Sequence, residues 1–283
     1  MNKNKLKSII SKKANGNTSV ANQLYQMFFF EHILDRLSKS KYKHNIILKG
    51  GLLLSSIIGD DERTTKDMDA TLKSLPLEKE NVTEIIKAIL SIDDNDDIEF
   101  EIESVKDIRL EDEYGGFRIG IIAKMSTIKH HLFIELTPGD KITPREIKYN
   151  YNCIFEDKKI PILAYTVETI IAEKYHSITT RGIFNTRMKD YYDIYVLVSD
   201  NKDKIDFTNL VKAIQNTYKH RETELNINEI EEQLDSIRTS HNLMRLWENY
   251  KVTAPYSEKI NYDDLLKSLD YITNILSESE VSV

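Results

Sequence analysis

Two aspartates separated by one residue, Asp67 and Asp69, are the side chains with the strongest case for metal chemistry. They alternate with Met68 and Ala70, and this two-residue period is typical of a β-strand with one apolar and one polar face. Both carboxylates are then expected to project from the same face, with β-carbons roughly 6–7 Å apart. Because carboxylate oxygens are hard ligands, the pattern predicts a site for Mg²⁺ or Mn²⁺.

A pair of glycines, Gly50 and Gly51, ends sixteen residues before Asp67. It follows a short apolar segment at 44–48 and precedes a short apolar helix predicted at 52–58. Glycines at a strand-to-helix turn let the backbone approach an anion, and the start of a helix offers free N–H groups, which suits a triphosphate. A plain turn and a chance Asp-x-Asp are the alternatives, since each half is a weak signal alone.

A second group of charged residues follows on predicted helices. Lys174 and Arg181 are seven positions apart, about two helical turns, so both cations could line one stripe that faces a nucleotide. Asp190 and Asp193 are one turn apart, and they could accept a proton from an acceptor hydroxyl or anchor the two cations. From these residues alone, a structural network of ion pairs is the better interpretation, because helical ion pairs are common.

The elements that must position these residues divide the chain into two parts. The first is predicted to contain strands at 44–48, 67–72, 99–105, 117–125 and 129–136 and helices at 20–37, 52–58 and 77–90. The second is predicted to contain helices at 167–177, 188–198, 207–218, 227–237 and 262–276. This order predicts an α/β (α+β) fold, with a mixed-sheet domain at 1–155 and a helical domain at 156–283. The basic segment 3–13 is expected to be a frayed, solvated terminus.

The composition narrows the class of protein. The 283 residues are 40% hydrophobic and 30% charged, which excludes low-complexity chains and favours a globular protein. The single cysteine leaves no internal disulfide, and no run approaches the roughly 20 apolar residues of a membrane span, so we expect a cytoplasmic protein that does not contact the membrane.

The net charge of −7 is unevenly distributed along the chain. Residues 1–49 carry ten Lys and Arg against two acids, and residues 93–113 carry eleven acids against two cations. Residues 141–189 have an excess of four cations. The basic segments fit an anionic partner such as nucleic acid, although a solvated lysine-rich surface would explain them equally well.

The order of the motifs resembles the nucleotidyltransferase signature of the polymerase-β superfamily, in which a glycine pair is followed at a distance by Asp-x-Asp on a strand. More narrowly, Lys49-Gly50-Gly51 and the later spaced residues resemble the AbiEii/AbiGii toxin family, which includes the related MenT toxins. The residues that carry this resemblance are Lys49, Gly50, Gly51, Arg63, Thr65, Asp67, Asp69, Lys174, Arg181 and the segment 189–195 with Asp190 and Asp193.

The resemblance implies a polymerase-β-like mixed sheet followed by a helical domain that completes the nucleotide cleft. It also implies a toxin of a bacterial type IV toxin–antitoxin and abortive phage infection system. Such an enzyme moves NMP from an NTP to an acceptor hydroxyl, which is a tRNA 3′ end in the MenT relatives, and releases pyrophosphate. The AbiEi-type antitoxin of such a system need not bind the toxin.

The resemblance also implies the roles of the site residues. Asp67 and Asp69 would hold Mg²⁺ or Mn²⁺, and Asp193 would be a base. The nucleotide would be bound by Lys49, Gly50, Gly51, Arg63, Thr65, Lys174, Arg181 and Asp190. Glu135, on the strand predicted at 129–136, would be a third metal ligand, with a cross-strand partner as the equal alternative. Leu52 stands where relatives often have a hydroxyl, which Ser55 could supply.

Two other functions stay open from the sequence. An aminoglycoside-type nucleotidyltransferase would use the same core, and the acidic run at 93–113 could bind its polycationic substrate. A catalytically inactive regulatory or binding protein is disfavoured because both metal-binding aspartates are present.

Overall fold

The structure, a computed structural model, describes residues 1–59, 65–108, 115–139 and 141–281. The chain forms two compact units, unit 1 of Met1–Gly139 with Ile147–Ala164 and unit 2 of Asp140–Glu146 with Tyr165–Val283. The long second segment therefore begins at Tyr165, whereas the sequence placed the start of the helical domain at 156. The expected role of that domain in completing a nucleotide cleft stays a prediction.

A mixed sheet of seven strands is the centre of unit 1. Its strands are β1 (Ile46–Lys49), β2 (Asp67–Leu72), β3 (Ile98–Ile108), β4 (Gly116–Met125), β5 (Ile128–Thr137), β6 (Ile147–Asn152) and β7 (Lys159–Ala164). They lie in the order β3-β4-β5-β2-β1-β7-β6. β2 is parallel to β5 and β1 is parallel to β7, and the other neighbours are antiparallel. The predicted α/β architecture is confirmed.

Four helices of unit 1 accompany this sheet: α1 (Lys3–Ala14), α2 (Thr18–Lys39), α3 (Gly50–Ile58) and α4 (Lys79–Leu90). α2 contacts β5, β7 and α4, and its Phe28, Phe29 and Phe30 are all buried. The apolar residues of β1 are also buried, as expected of a central strand covered on both faces. The packed core therefore fixes the positions of β1 and β2 up to the ends that carry their polar side chains.

The N-terminal segment is a helix, so the prediction of a frayed terminus is wrong. Asn2 caps α1, since its side chain accepts a hydrogen bond from the N–H of Lys5 at 2.9 Å. Leu6, Ile10 and Ala14 recur every four residues and are all buried, and α1 packs on α2. The lysines on the other face of α1 hid this narrow apolar stripe.

The last two strands of the sheet were not predicted. β6 and β7 lie on either side of the domain boundary that the sequence placed at 155/156. Pro161 is unusual in a strand with neighbours on both sides. In the structure β7 pairs with β1 only at Leu163 and Ala164, so Pro161 precedes this contact. Its missing N–H therefore removes no hydrogen bond to β1.

Unit 2 is helical. Its helices are α5 (Val167–Arg181), α6 (Met188–Tyr195), α7 (Phe207–His220), α8 (Ile227–Arg238), α9 (His241–Thr253) and α10 (Tyr262–Val281). α5 contacts α6, α7 and α8, and the hydroxyl of its buried Tyr175 lies 2.7 Å from that of Thr273 on α10. The predicted helices are all present, but α9 was missed, although Leu243 and the buried Trp247 are one turn apart on it.

Within the described ranges, no helix combines the length and the apolar character needed to cross a membrane.

The packing of α1 predicts the effect of truncating one of its buried side chains. We expect Leu6→Ala to lower the free energy of unfolding by about 2–5 kcal/mol, because it leaves a cavity between α1 and α2. Urea denaturation of the purified protein measures this. The matched control is Lys7→Ala, at the exposed neighbouring position, for which little change is expected. Equal effects of the two changes would mean that α1 does not pack in solution.

Candidate active site

Three carboxylates share one face of the sheet at β2 and β5. In the parallel register, Asp69 lies opposite Glu135 and Asp67 lies opposite Phe133. Because side chains alternate along a strand, the three carboxylates project from the same face, whereas the intervening Met68 is buried on the other. We call Asp67, Asp69 and Glu135 the acid face. All three were predicted from the sequence, and the structure brings them together.

The glycine turn lies directly against the acid face. β1 and β2 bring Lys49 opposite Asp69, and Gly50 follows with a φ of +66°. A β-carbon at Gly50 would lie 2.7 Å from both Cβ and Cγ of Asp69 and nearer still to its Oδ2. Both the backbone conformation and the carboxylate therefore require glycine here. α3 begins at Gly50, so the N-terminal end of a helix lies against Asp69.

Arg118 on β4 adds a cation to the acid face. Its guanidinium donates from Nη2 to Oδ1 of Asp67 at 2.9 Å and from Nη1 to Oε1 of Glu135 at 2.5 Å. It also lies 4.2 Å from the centre of the Phe133 ring. One side chain thus partly neutralises two of the three carboxylates.

Sequence reasoning missed Arg118, although a signal was present. The turn at Ser126 and Thr127, between the two strands predicted at 117–125 and 129–136, fixes the register of the hairpin of β4 and β5. Counting back from that turn places Arg118 opposite Glu135, as the structure shows. The residue was overlooked because the charge of β4 was not considered together with the acids of its neighbours.

The acid face has the chemistry to hold a hard divalent cation. Carboxylate oxygens are the preferred ligands of Mg²⁺, and the bridging guanidinium of Arg118 shows that positive charge is stabilised at this point. The carboxylate oxygens of the acid face do not all lie within 4.8 Å of one another.

A second group of possible metal ligands is His32, Asp94 and Asp96, whose ligand atoms do lie within 4.8 Å of one another. Asp96 already accepts hydrogen bonds from Arg36 at 2.9 and 2.6 Å and lies 2.9 Å from Nδ1 of His32. Burial tends to raise the pKa of Asp96, but the contacts with His32 and Arg36 outweigh it and hold the pKa well below its usual range. We interpret this group as a structural ion-pair network between α2 and the segment before β3.

The second predicted set forms an ion-pair cluster inside unit 2. Nζ of Lys174 lies 2.6 Å from Oδ1 of Asp190 and 2.9 Å from Oδ2 of Asp193. Asp193 is 0% exposed and Asp190 is buried as well. Burial opposes the charge of Lys174, but the two carboxylates more than offset it and raise the pKa of this lysine. We call these three residues the lysine triad; its lysine is a firmly held cation.

Arg181 does not join the lysine triad. It ends α5 with an exposed side chain, and none of the ion pairs found in the described part of the chain includes it. The cation next to the triad is Arg187 instead, with Nε 3.3 Å from Oδ2 of Asp190. Lys174 and Arg181 were predicted to line one stripe of a helix. In the structure Lys174 is half-buried and Arg181 is exposed.

The remaining predicted residues lie around the glycine turn or outside the described ranges. The hydroxyl of Thr65 donates to the carbonyl oxygen of Asp67 at 3.1 Å, which shapes the entry to β2. The hydroxyl of Ser55 is buried and donates to the carbonyl of Gly51 at 2.7 Å, so it stabilises α3 rather than facing outward. Arg63 lies outside the described residues.

The contact between Gly50 and Asp69 predicts the outcome of a matched pair of glycine substitutions. Gly50 and Gly59 both have positive φ, but an added β-carbon meets nothing within 4 Å at Gly59. We expect Gly59→Ala to cost about 1–2 kcal/mol of stability through backbone strain alone. Gly50→Ala is expected to cost clearly more, because Asp69 must also move. Urea unfolding of both variants tests this, and equal costs would contradict the observed contact.

The position of Arg118 predicts that it competes with metal ions. We expect Arg118→Gln to tighten Mn²⁺ binding by about tenfold, because one positive charge is removed from between two carboxylates. Arg118→Lys keeps the charge and is the control. Electron paramagnetic resonance of free Mn²⁺ during titration measures the affinity without any substrate. Weaker binding by Arg118→Gln would show instead that Arg118 orders the carboxylates for the ion.

Comparison with known proteins connects this geometry to a family. The chain matches no curated protein sequence. It is similar to a candidate nucleotidyltransferase from H. pylori, with a TM-score of 0.48 and 13% sequence identity over 92% of this chain and 97% of that one. It is also similar to JHP933 from Helicobacter pylori, with a TM-score of 0.46 and 15% identity over 92% of this chain and 95% of that one. A third similar structure is an antigenic nucleotidyltransferase-like protein from Paracoccidioides brasiliensis, with a TM-score of 0.36 and 15% identity over 84% of this chain and 92% of that one. These likenesses are distant.

The family assignment rests on the sequence itself. The family described as "Nucleotidyl transferase AbiEii toxin, Type IV TA system" matches residues 32–268, which is most of the chain and includes both the acid face and the lysine triad. The resemblance seen in the spacing of the motifs is thereby confirmed. The chain belongs to the AbiEii family of nucleotidyltransferase toxins from type IV toxin–antitoxin systems.

Proposed function

We propose that this protein transfers a nucleoside monophosphate from an NTP to a hydroxyl at the 3′ end of an RNA, with tRNA as the acceptor, and releases pyrophosphate. The contact between the Gly50 turn and Asp69 carries this proposal. It places the start of a helix, which binds anions, beside carboxylates that suit a divalent cation. Membership of a nucleotidyltransferase family supports the reaction class.

The acid face and the glycine turn bind the nucleotide in this proposal. Asp67, Asp69 and Glu135 would hold Mg²⁺ or Mn²⁺, which when bound supplies positive charge for the phosphates and polarises the acceptor hydroxyl. The N–H groups at Gly50 and Gly51 donate to phosphate oxygens. Lys49 and the segment at 63–65 are proposed to add further contacts with the phosphates.

The chemical step is a substitution at the α-phosphorus. The acceptor oxygen forms a bond to that phosphorus while the bond from phosphorus to the oxygen bridging to the β-phosphate breaks. The electron pair of the broken bond leaves with pyrophosphate, and the proton of the hydroxyl passes to a carboxylate of the acid face.

Lys174 is proposed to bind the triphosphate as a fixed cation. Asp193 is fully buried and paired with it, so we assign Asp193 to holding Lys174 in place. This assignment replaces the role of base that the resemblance implied for Asp193. Asp190 holds the same lysine from its other side.

In the cell, this activity would make the protein a toxin that acts in abortive phage infection. NTPs and tRNA are cytoplasmic, so we propose that it acts there. An AbiEi-type antitoxin would counter it without having to bind this chain.

RNA is preferred to an aminoglycoside as the acceptor because of where the acidic residues lie. On β3, Glu101 is paired with Lys124, and Glu103 lies 3.2 Å from Nδ1 of His131, so both acids already have partners. Three further acids of that run, at 111–113, lie outside the described ranges. The excess of cations in residues 141–189 fits a polyanionic acceptor such as RNA better than a polycationic aminoglycoside.

The proposal predicts the result of a transfer assay with each of the four α-labelled NTPs and either total tRNA or a set of aminoglycosides. We expect wild-type protein to label tRNA, and we expect Asp69→Asn to label it at least about 100-fold less, because a carboxylate ligand is lost. Asp97→Asn, a change of the same type at an exposed position, is the control and should be fully active. Sequencing of RNA 3′ ends from cells that express the same variants identifies the acceptor.

Two outcomes would overturn the proposal. Label on an aminoglycoside and none on RNA would assign the core to a small acceptor. Equal growth inhibition by wild type and Asp69→Asn would show that toxicity does not depend on this chemistry.

A further inference from the structure

A large aromatic side chain is held outside the surface of unit 2. Phe184 is 82% exposed and its neighbour Ile183 is 43% exposed, on the 3-10 turn Gly182–Phe184 that joins α5 to α6. The same connection leads from the helix of Lys174 to the helix of Asp190 and Asp193. An exposed phenylalanine therefore lies between the two elements that form the lysine triad.

Buried residues on both sides of Ile183 and Phe184 fix the backbone of this turn. Gly182 is buried with a φ of +52°, and a β-carbon there would lie 3.1 Å from Cδ of Gln233 on α8. Asn185 is 1% exposed; its N–H donates to the carbonyl of Gly182 at 3.0 Å, and its side-chain oxygen accepts from the N–H of Arg187 at 3.0 Å. Because the residues on both sides of Ile183 and Phe184 are anchored, the phenyl ring is presented outward by a rigid backbone.

This arrangement also has a cost in stability. The side-chain nitrogen of Asn185 is buried without a hydrogen-bond partner, which lowers stability. Exposure of the phenyl ring adds to that cost. A polar residue at 184 would avoid this cost in a turn that only connects two helices, so the exposed phenyl ring points to a ligand.

The charge around Phe184 identifies the kind of ligand. From 174 to 189 the chain has four cations, Lys174, Arg181, Arg187 and Lys189, and no acid. Arg181 is exposed, and the Arg187 side chain is 67% exposed. Arg187 is paired with Asp190, just outside this window, but its guanidinium is still largely exposed. An exposed aromatic ring with an exposed arginine on each side of it in the sequence matches a nucleobase that stacks and phosphates that pair with guanidinium groups.

We propose that Phe184, with Arg181 and Arg187, binds the single-stranded end of the RNA acceptor, with one unpaired base stacked on the phenyl ring. Phe184 is a positioning residue, since it need not touch the reacting atoms. The proposal deepens the proposed function and rests on it for the identity of the acceptor. A protein partner is the competing occupant, but two apolar side chains offer too little surface for a stable protein interface.

The test measures binding of short fluorescent RNAs to the purified full chain by anisotropy, without NTP. We expect Phe184→Ala to weaken binding of a single-stranded RNA by about 5- to 100-fold, and Phe184→Tyr to preserve it, because both rings stack. Val252→Ala is the matched control, since Val252 is equally exposed at 82% on α9 and should leave the affinity unchanged. Arg181→Gln and Arg187→Gln should each reduce the dependence of log Kd on log salt by about 0.7.

A blunt RNA duplex provides the second arm, because its bases are already stacked. We expect Phe184→Ala to have little effect on duplex binding. Equal affinity of wild type and Phe184→Ala for single-stranded RNA would overturn the proposal, as would an equal loss on both RNAs. Binding of an unrelated protein that depends on Phe184, with unchanged RNA affinity, would assign the turn to a protein partner and overturn it as well.

The transfer assay separates this proposal from the proposed function. If Phe184→Ala loses RNA affinity while wild type transfers no nucleotide to any RNA, the RNA-binding turn stands and the reaction does not. If wild type labels tRNA and Phe184→Ala does so with unchanged KM for RNA, the reaction stands and the turn is excluded. When both hold, Phe184→Ala raises KM for RNA and leaves KM for NTP unchanged.

Discussion

The close approach of Gly50 to Asp69 is the constraint on which the candidate site depends. A strand that ends in a glycine with positive φ can turn directly into α3 while its last residues still pair with β2. The same turn leaves no room for a side chain beside the Asp69 carboxylate. The start of a helix and a carboxylate are thus brought together by backbone pairing, which is more rigid than any contact between long side chains.

In both units, the clustered carboxylates are paired with a side chain of opposite charge. The acid face has three carboxylates, two of which contact Arg118, and the lysine triad has two buried carboxylates around one lysine. Buried charges without partners would be strongly unfavourable, so each cluster includes a counter-charge of its own. The difference between them is accessibility. The Arg118 side chain is 35% exposed, whereas that of Lys174 is 17% exposed and contacts two buried carboxylates.

Three basic residues of unit 2 differ in how far their side chains are buried. Lys174 is held by two carboxylates, and its position is therefore well defined. Arg181 and Arg187 are exposed and flank Phe184 in the sequence, and Arg187 is paired with Asp190. In the proposed function, a fixed cation suits the compact triphosphate of a nucleotide, and exposed guanidinium groups suit the phosphates of an RNA strand.

Much of this molecule could be predicted from the sequence. The alternation of 67–72 placed Asp67 and Asp69 on one face, the glycine pair marked the turn before α3, and the helices α2 to α8 and α10 followed from apolar spacing. These signals are local, since each depends on residues within one element. α1 and α9 carried the same kind of signal in shorter apolar stripes, which lysines and other polar residues obscured.

The tertiary structure alone decided which local elements meet. The order of strands brings Glu135 beside Asp69, and the hairpin of β4 with β5 brings Arg118 between two acids. Helix packing buries Asp193 against Lys174 while Arg181, on the same helix as Lys174, is left exposed. Sequence spacing determines the direction in which a side chain leaves its own element. Which partner it finds there depends on residues distant in the chain, and only the packed sheet and helices fix that.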